Sequence, residues 1–504
     1  MAARVHIHGH DPVDRIAPDV YGHFAEHLGR CIYGGLWVGD DDRVPTDGGI
    51  REDSLDLLTD LEMPVLRWPG GCFADDYHWR DGVGPREERP RRRNMWWTQG
   101  RENVPEDSNA FGTDEFVRLC ELLGAEPYLA VNVGSGDPQE AVDWAEYCNY
   151  GGDTELAAER VANGSERAHG VTYWGVGNEN WGCGGRYTPE VYAEEYRRFA
   201  NYLSNFDRVM GDGGMELIAC GHTTEDWNRS FLKALSEGVV RGSGGDVIDH
   251  LSVHRYYEAG PAVGFDDEQY YRLFARARQV ARDVDRAVDA IGAFAPEGDV
   301  GVIVDEWGVW HPGADYDNGL EQANTVRDAL TAAGVLDDLN ARADVVTMAN
   351  IAQTVNVLQC VVRTDTESAW ATPTYEVFDL YKPHMGATAL RTVVDSEVRA
   401  VDDEAFDVPM VSASASRSDD GVFLTLSNRD PDAAREVGID LDADDPTVAG
   451  TRTLFAGRDV DERSTGAERR AFAPTPADVA AVGDDGVVVE APAASVVAVD
   501  FDVE

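Results

Sequence analysis

The sequence predicts an α/β protein, a (β/α)8 TIM barrel followed by a C-terminal all-β sandwich domain. Eight short apolar segments, rich in β-branched residues, alternate with longer amphipathic segments over about the first three quarters of the chain. From about residue 385 the helical period disappears and alternating strand patterns take over. The length of 504 residues also suits one large domain with a smaller one.

The barrel is predicted from its strands and from the helix starts between them. Asp137 precedes a proline and stands three residues before Glu140, which is typical of an N-terminal helix cap. Thr188 opens another helix in the same way, and a third amphipathic helix is predicted over residues 266–293. The eight predicted strands are residues 20–24, 64–68, 127–133, 171–176, 216–220, 248–254, 300–304 and 345–351.

The sandwich is predicted from strands without helical segments between them. The first dozen residues are also strand-like, and we expect them to pair with this domain. We therefore assign residues 16–384 to the barrel, and residues 1–15 together with 385–504 to the sandwich. The predicted sandwich strands are residues 410–416, 421–427, 450–456 and 486–501.

The net charge is −50, from 93 acidic and 43 basic residues, and the acidic residues are spread along the whole chain. Only Lys233 and Lys382 are lysines. A surface this negative repels nucleic acid and anionic lipid, so neither is an expected partner. It also repels itself unless salt screens it, since the Debye length falls to about 3 Å at 1 M salt. The composition therefore predicts a halophilic-type protein for a salt-rich cytosol.

The cysteines and the N-terminus predict a reduced, cytoplasmic protein. The seven cysteines are an odd number scattered through predicted strands and helices, which gives no disulfide framework. The first residues lack the apolar core of a signal peptide, and no apolar run reaches transmembrane length. His6, His8 and His10 alternate, a spacing that places all three side chains on the solvent face of a strand rather than around a metal ion.

Two glutamates carry the strongest functional signal in the chain. Glu179 and Glu306 follow the fourth and seventh predicted strands, and each precedes a loop rich in Gly and Trp. Because active sites of barrels form at the carboxyl ends of the strands, we expect both carboxylates at one mouth. Two carboxylates across one cleft are the arrangement that hydrolysis of a glycosidic bond requires. The structural alternative is a pair of carboxylates held by arginines inside the fold.

Other polar and aromatic residues are predicted at the same mouth. Flat apolar rings suit the C–H faces of sugars, while amides and carboxylates satisfy the hydroxyls, although several of the tryptophans are expected to be structural. Asp75 and Asp76 can equally be surface acids. The polar residues at strand ends are Glu26, Arg67, Cys72, Asn132, Asn178, His254, Tyr256 and Gln353. The tryptophans of the following loops are Trp37, Trp79, Trp96, Trp97, Trp181, Trp307 and Trp310.

The chain resembles the α-L-arabinofuranosidases of glycoside hydrolase family 51, in the clan of retaining barrel glycosidases. The matching segments are residues 22–30, 67–72, 79–85, 132–136, 175–185, 254–257, 305–307 and 349–353. The resemblance runs from about residue 16 to residue 383 and more weakly through the sandwich. It implies an exo-acting hydrolase that releases terminal α-L-arabinofuranosyl residues, needs no cofactor or metal, and forms a homo-oligomer, commonly a hexamer.

The resemblance also implies a role for each site residue. Glu306 would be the nucleophile, ionised with the help of the Tyr256 phenol, and Glu179 would be the acid/base, protonated at the start. Asn178 would bind the sugar 2-hydroxyl. The residues that would line the sugar pocket are Glu26, Cys72 and Gln353.

Several alternatives stay open at this point. A metal-dependent sugar isomerase would need four or more converging ligands, and a non-catalytic carbohydrate-binding protein usually loses one of the two carboxylates. An endo-β-glycanase of the same clan would share both glutamates. The natural substrate, arabinan or arabinoxylan fragments, is left open. At Cys72 many family members carry Asn, so packing of a free thiol is the alternative to a sugar contact.

Overall fold

In the computed structural model, an N-terminal strand leads into a closed barrel of eight parallel strands, and a ten-stranded sheet follows. The structure describes residues 3–41, 43–97, 106–211, 214–237, 248–295, 300–443, 446–483 and 486–503. The predicted fold class is confirmed. The first strand and the barrel strands are β1 (Ala3–Arg15), β2 (Gly22–Phe24), β3 (Val65–Trp68), β4 (Glu126–Val131), β5 (Tyr173–Val176), β6 (Glu216–Cys220), β7 (His250–Tyr257), β8 (Gly301–Val309) and β9 (Val346–Ala352).

Each barrel strand lies beside the next one along the chain, and β9 closes the ring against β2. Inside the barrel, side chains near the amino ends of the strands form a separate apolar cluster. With this apolar cluster near the amino ends, the polar residues lie at the carboxyl ends of the strands, where the loops begin. The cluster consists of Val65, Tyr128, Ile218, Ile303 and Met348.

Helices surround the barrel, and two of them begin where the sequence predicts. The Asp137 side chain accepts main-chain N–H groups at the start of α3, and Thr188 does so for α5. The single helix predicted over residues 266–293 is instead two helices, which meet at Arg278. The Arg278 side chain donates a hydrogen bond to the main-chain oxygen of Asp407. Sequence periodicity cannot predict such a tertiary contact. The α-helices are α1 (Glu52–Asp60), α2 (Thr113–Leu123), α3 (Pro138–Asn149), α4 (Glu155–Ala162), α5 (Pro189–Met210), α6 (Glu225–Ser236), α7 (Asp267–Ala277), α8 (Gln279–Phe294), α9 (Val326–Asn340) and α10 (Pro373–Tyr381).

The C-terminal sheet contains the first strand of the chain. β1 pairs antiparallel with β10 and parallel with β13, and its His8 and His10 side chains are exposed as the alternation predicts. The strand predicted over residues 486–501 is two strands, because a turn at Pro492 interrupts it. The domain boundary near residue 384 stays a prediction. The remaining strands of this sheet are β10 (Thr388–Asp395), β11 (Val411–Ser418), β12 (Gly421–Asn428), β13 (Arg435–Leu441), β14 (Thr447–Leu454), β15 (Thr475–Pro476), β16 (Ala480–Gly483), β17 (Gly486–Ala491) and β18 (Ser495–Asp502).

Short elements fill the loops, and within the described residues no helix is both long and apolar enough to cross a membrane. The two-stranded pairs are Thr46–Asp47 with Ile50–Arg51, Arg92–Arg93 with Glu106–Asp107, Val362–Thr364 with Ala369–Ala371, and Val398–Arg399 with Val408–Pro409. The 3-10 helices are Pro18–Tyr21, Ala74–Asp76, Trp79–Gly82, Arg86–Glu88, Tyr316–Asn318 and Lys382–His384.

Candidate active site

The residues that the sequence predicts at the barrel mouth lie together at the carboxyl ends of the strands. They come from six strands, and hydrogen bonds or a covalent bond connect them to one another or to shared neighbours. The seven are Glu26 after β2, Cys72 after β3, Asn178 and Glu179 after β5, Tyr256 in β7, Glu306 in β8 and Gln353 after β9.

Glu306 is buried and is held by donors on both carboxylate oxygens. Arg67 donates to Oε1 over 2.8 Å, and the Tyr256 hydroxyl donates to Oε2 over 2.7 Å. Nδ1 of His254 lies 3.6 Å from Oε1. Burial alone would raise the pKa of Glu306, but the charges of His254 and Arg67 and these hydrogen bonds bring the pKa below its ordinary value. The carboxylate is therefore kept ionised, as a nucleophile requires.

Glu179 faces Glu306 across His254. Nδ1 of His254 lies 3.1 Å from Oε1 of Glu179, and the two carboxylates and this nitrogen bring one atom each within 4.8 Å of one another. Burial would lower the pKa of His254, but the two carboxylates raise it. The Glu179 backbone has a φ of 42°, a conformation that side-chain-bearing residues rarely adopt and that clusters at functional sites.

Arg67 connects Glu306 to Asn178. Its second terminal nitrogen donates to Oδ1 of Asn178 over 2.6 Å, which orients the amide. The neighbouring Gly71 leaves no room for a side chain, since a Cβ there would lie 2.8 Å from Oε1 of Glu306. The sequence motif contains Arg67 but does not show that its side chain donates hydrogen bonds to both Glu306 and Asn178.

Glu26 forms a second carboxylate centre near Glu306. It accepts hydrogen bonds from Nε2 of Gln353 at 2.9 Å and from the indole of Trp97 at 2.7 Å. Main-chain N–H groups of Gly71 and Phe73 also donate to it. Burial, reinforced by the charge of Glu306, raises the pKa of Glu26 to about 7.

Cys72 is not a free thiol, and the expectation that the chain has no disulfide is wrong. Cys72 is bonded to Cys183, although 111 residues separate them in sequence. The loops after β3 and β5 bring the two together, a proximity that an odd cysteine count cannot reveal. Sγ of Cys183 lies 3.8 Å from Oε2 of Glu179, so the bond borders the site. The other five cysteines, Cys31, Cys120, Cys148, Cys220 and Cys360, are buried and free.

Asp75 is not a surface acid. It is 4% exposed, and its carboxylate accepts main-chain N–H groups of Val133, Gly134 and Asn178, each over 2.9 Å. Burial raises the pKa of Asp75 to about 7, although the three donors oppose this rise. Nothing in the local sequence distinguishes Asp75 from Asp76, because the donors lie in the loops that follow two other strands.

The tryptophans of the loops differ in how deeply they are buried. Trp97 reaches Glu26, and its ring stacks on Tyr316 with centroids 5.4 Å apart. The rings of Trp310 and Tyr256 pack edge to face, with centroids 5.2 Å apart. The half-buried ones are Trp96, Trp97, Trp181 and Trp310, and the buried ones that pack in the core are Trp37, Trp79 and Trp307.

The site also offers donor atoms of the kinds that bind metal ions. Glu179, His254 and Glu306 form one such set, and Cys72, Cys183 and Glu179 form another. In the first set Arg67 already places a positive charge against Glu306, which opposes a cation. In the second set both sulfurs are used in the disulfide. The geometry favours acid–base and nucleophilic chemistry by the two carboxylates.

Known proteins are similar to this chain in sequence and structure. Residues 57–276 match the "Alpha-L-arabinofuranosidase 1 domain" family, and residues 305–495 match the "Alpha-L-arabinofuranosidase C-terminal domain" family. The intracellular exo-alpha-L-arabinofuranosidase of Bacteroides ovatus is 41% identical over 450 residues, which cover 87% of this chain and 84% of that protein.

Solved structures extend the similarity over both parts of the fold. The GH51 arabinofuranosidase of Xanthomonas axonopodis pv. citri has a TM-score of 0.91 and 35% identity, covering 99% of this chain and 100% of that one. The alpha-L-arabinofuranosidase of Thermotoga maritima, solved as an arabinose complex, has a TM-score of 0.85 and 32% identity, with 100% of both chains covered.

Proposed function

The chain belongs to the α-L-arabinofuranosidases of glycoside hydrolase family 51, and on this premise we propose how the residues at its barrel mouth carry out the reaction. It is a glycoside hydrolase with exo-acting α-L-arabinofuranosidase activity. In our proposal Glu306 is the nucleophile and Glu179 the acid/base of a retaining double displacement.

In the first step the ionised Glu306 attacks the anomeric carbon of the terminal arabinofuranose. The glycosidic bond breaks, and Glu179 gives its proton to the departing oxygen. Arg67 and Tyr256 hold Glu306 charged and aimed, while Asn178, oriented by Arg67, meets the 2-hydroxyl. This hydrogen bond strengthens as positive charge develops on the sugar.

In the second step Glu179, now a carboxylate, takes a proton from water. The water oxygen attacks the anomeric carbon, the bond to Glu306 breaks, and arabinose leaves with its original anomeric configuration. The observation that supports this assignment is the close approach of Glu179, His254 and Glu306, within 4.8 Å. An inverting enzyme would keep its carboxyl groups about 6.5–9.5 Å apart, with room for a water.

The finer features are also proposals. Glu26, Gln353 and the Cys72 region would line the sugar pocket, and oligosaccharides from arabinan or arabinoxylan would supply the substrate. A cytoplasmic location is supported by the name of the B. ovatus relative, which calls it intracellular. A homo-oligomer, a hexamer by resemblance to the family, is testable by light scattering.

Substitution of each glutamate tests the assignment. Glu306→Ala should abolish turnover of every substrate, because no covalent intermediate can form. Glu179→Ala should keep activity on aryl arabinofuranosides with excellent leaving groups, and added azide should rescue it by replacing activated water. The loss with poor leaving groups should be about 10²–10⁴-fold. Glu121→Ala, on the exposed surface of α2, is the matched control.

Two outcomes would contradict the proposal. Azide rescue of Glu306→Ala to a product of retained anomeric configuration, instead of such rescue of Glu179→Ala, would reverse the two roles. NMR detection of an inverted product of the wild-type enzyme would exclude the double displacement. Loss of activity on dialysis against EDTA would favour the metal-dependent alternative.

A further inference from the structure

We propose that Asp75 is a positioning residue, which fixes the main chain at Asn178 and Glu179 and thereby aims the acid/base carboxyl. This inference rests on the role proposed for Glu179. The Asp75 carboxylate hydrogen-bonds to the main chain at Val133, Gly134 and Asn178 and not to the Glu179 side chain, so it would act only through the segment that it holds.

The Asp75 carboxylate joins three adjacent strand ends of the barrel. It lies in the 3-10 helix Ala74–Asp76, after β3. Oδ1 accepts the N–H groups of Val133 and Gly134, which follow β4, and Oδ2 accepts the N–H of Asn178, which follows β5. One buried carboxyl group thus connects three loops at the mouth.

The packing around this carboxylate leaves little freedom. A Cβ at Gly184 would lie 2.3 Å from Oδ2 of Asp75 and 2.1 Å from the main-chain oxygen of Asn178. Gly184 also donates its N–H to the main-chain oxygen of Glu179, as Gly182 does. The two-residue segment of Asn178 and Glu179 is therefore held at both ends, at the Asn178 N–H by Asp75 and at the Glu179 main-chain oxygen by the glycine loop.

A buried carboxylate is costly unless its oxygens are satisfied, and packing alone gives no reason for one here. No side-chain cation hydrogen-bonds to Asp75 among the described residues, and Arg67 acts on it only through space. Its three main-chain donors therefore account for its presence. Without the carboxylate, these buried N–H groups would have to find new partners, and Asn178 and Glu179, with its unusual φ, would shift.

Replacement of Asp75 by its isosteric amide tests the inference. In Asp75→Asn one carboxylate oxygen becomes an NH2 group, which cannot accept a hydrogen bond from a main-chain N–H. The segment of Asn178 and Glu179 is therefore no longer held. We expect kcat/KM on an arabino-oligosaccharide to fall about 10²-fold, the effect of a displacement of about 1 Å at a catalytic group. With a dinitrophenyl arabinofuranoside, which needs no proton on its leaving group, the fall should be several-fold, and azide should raise kcat. Asp76→Asn, at the half-buried neighbour, is the matched control and should behave as wild type.

The leaving-group dependence separates positioning from general damage to the fold. Equal losses on both substrates, without an azide effect, would overturn the inference, as would unchanged kinetics. If Asp75→Asn does not fold, Asp75→Glu serves instead, because it keeps the carboxyl group but moves it by one methylene. Its kcat/KM on the same two substrates then tests the inference in the same way. A Glu179→Ala enzyme without leaving-group dependence would instead overturn the proposed function. If that variant shows the dependence and Asp75→Asn does not, only the role of Asp75 fails.

Discussion

The donors around Glu306 differ in how many groups depend on them. Arg67 bonds to both Glu306 and Asn178 and is itself buried, so its removal would leave two acceptors and a cavity. Tyr256 gives one hydrogen bond through its hydroxyl, while its ring packs against Trp310. Its hydroxyl can therefore be removed with the least disturbance to its surroundings.

Tyr256→Phe should lower kcat by about 10²-fold or more, because one preorganised donor at the reacting carboxylate is lost. The free energy of unfolding should change by no more than about 1–3 kcal/mol, the range for a hydrogen bond to a charged group. Steady-state kinetics and thermal unfolding measure the two effects. Tyr202→Phe, at an exposed position on α5, is the control.

The pH profile of the same variant gives an independent readout. The phenol stabilises the ionised form of Glu306, so its loss should raise the pKa of Glu306 and move the acid limb of kcat/KM to higher pH. If neither the rate nor the acid limb changes, Tyr256 packs the barrel and does not assist the nucleophile.

At the scale of elements, the loops after β3 and β5 are joined twice, by Asp75 and by the Cys72–Cys183 bond. A covalent link across 111 residues typically adds about 2–4 kcal/mol to the free energy of unfolding. The two links restrain the loops at the barrel mouth on the side that carries Glu179. This bond also contrasts with the reduced protein that the sequence predicts.

Thiol titration tests the disulfide directly. The denatured, unreduced protein should react at five thiols, and the reduced protein at seven, because two of the seven cysteines are paired. Cys72→Ser combined with Cys183→Ser should lower the thermal midpoint and react at five thiols with or without reductant. Seven reactive thiols in unreduced wild-type protein would show that the pair is open.

The elements, and the position of Glu179 and Glu306 at the barrel mouth, could be predicted because their signals are local. Each barrel strand is an apolar run, and Glu179 and Glu306 stand where such a run ends. Asp75, Cys183 and the second contact of Arg67 could not be predicted, since their partners lie on other strands and only the closed barrel brings them together. The break at Arg278 was missed for a related reason, as helical periodicity continues through it.

At the scale of the whole molecule, the charge of −50 is the dominant feature. We propose that the acidic surface adapts the protein to concentrated salt. In dilute buffer the repulsion among 93 acidic residues acts over a Debye length of about 30 Å at 0.01 M salt, and the range shrinks to about 3 Å at 1 M. A net stability of only about 5–15 kcal/mol must withstand this repulsion.

The thermal midpoint should therefore rise as KCl or NaCl is raised from dilute buffer to molar concentrations. Activity should follow the folded fraction, while KM should change little because the arabinoside substrate is uncharged. Scanning calorimetry and kinetics over the same salt series measure both. A midpoint that stays level or falls with salt would contradict a halophilic adaptation.

The position of β1 between β10 and β13 has a consequence for biosynthesis. Residues Ala3–Arg15 leave the ribosome before the barrel strands, but their partner β10 begins only at Thr388. At about 5–20 residues per second, roughly 20–75 s of translation separate the two strands. During that time the barrel is synthesised, and β1, with its apolar residues Val5 and Ile7, has no sheet with which to pair. A segment that is synthesised before the barrel is thus able to pair only after the barrel is complete.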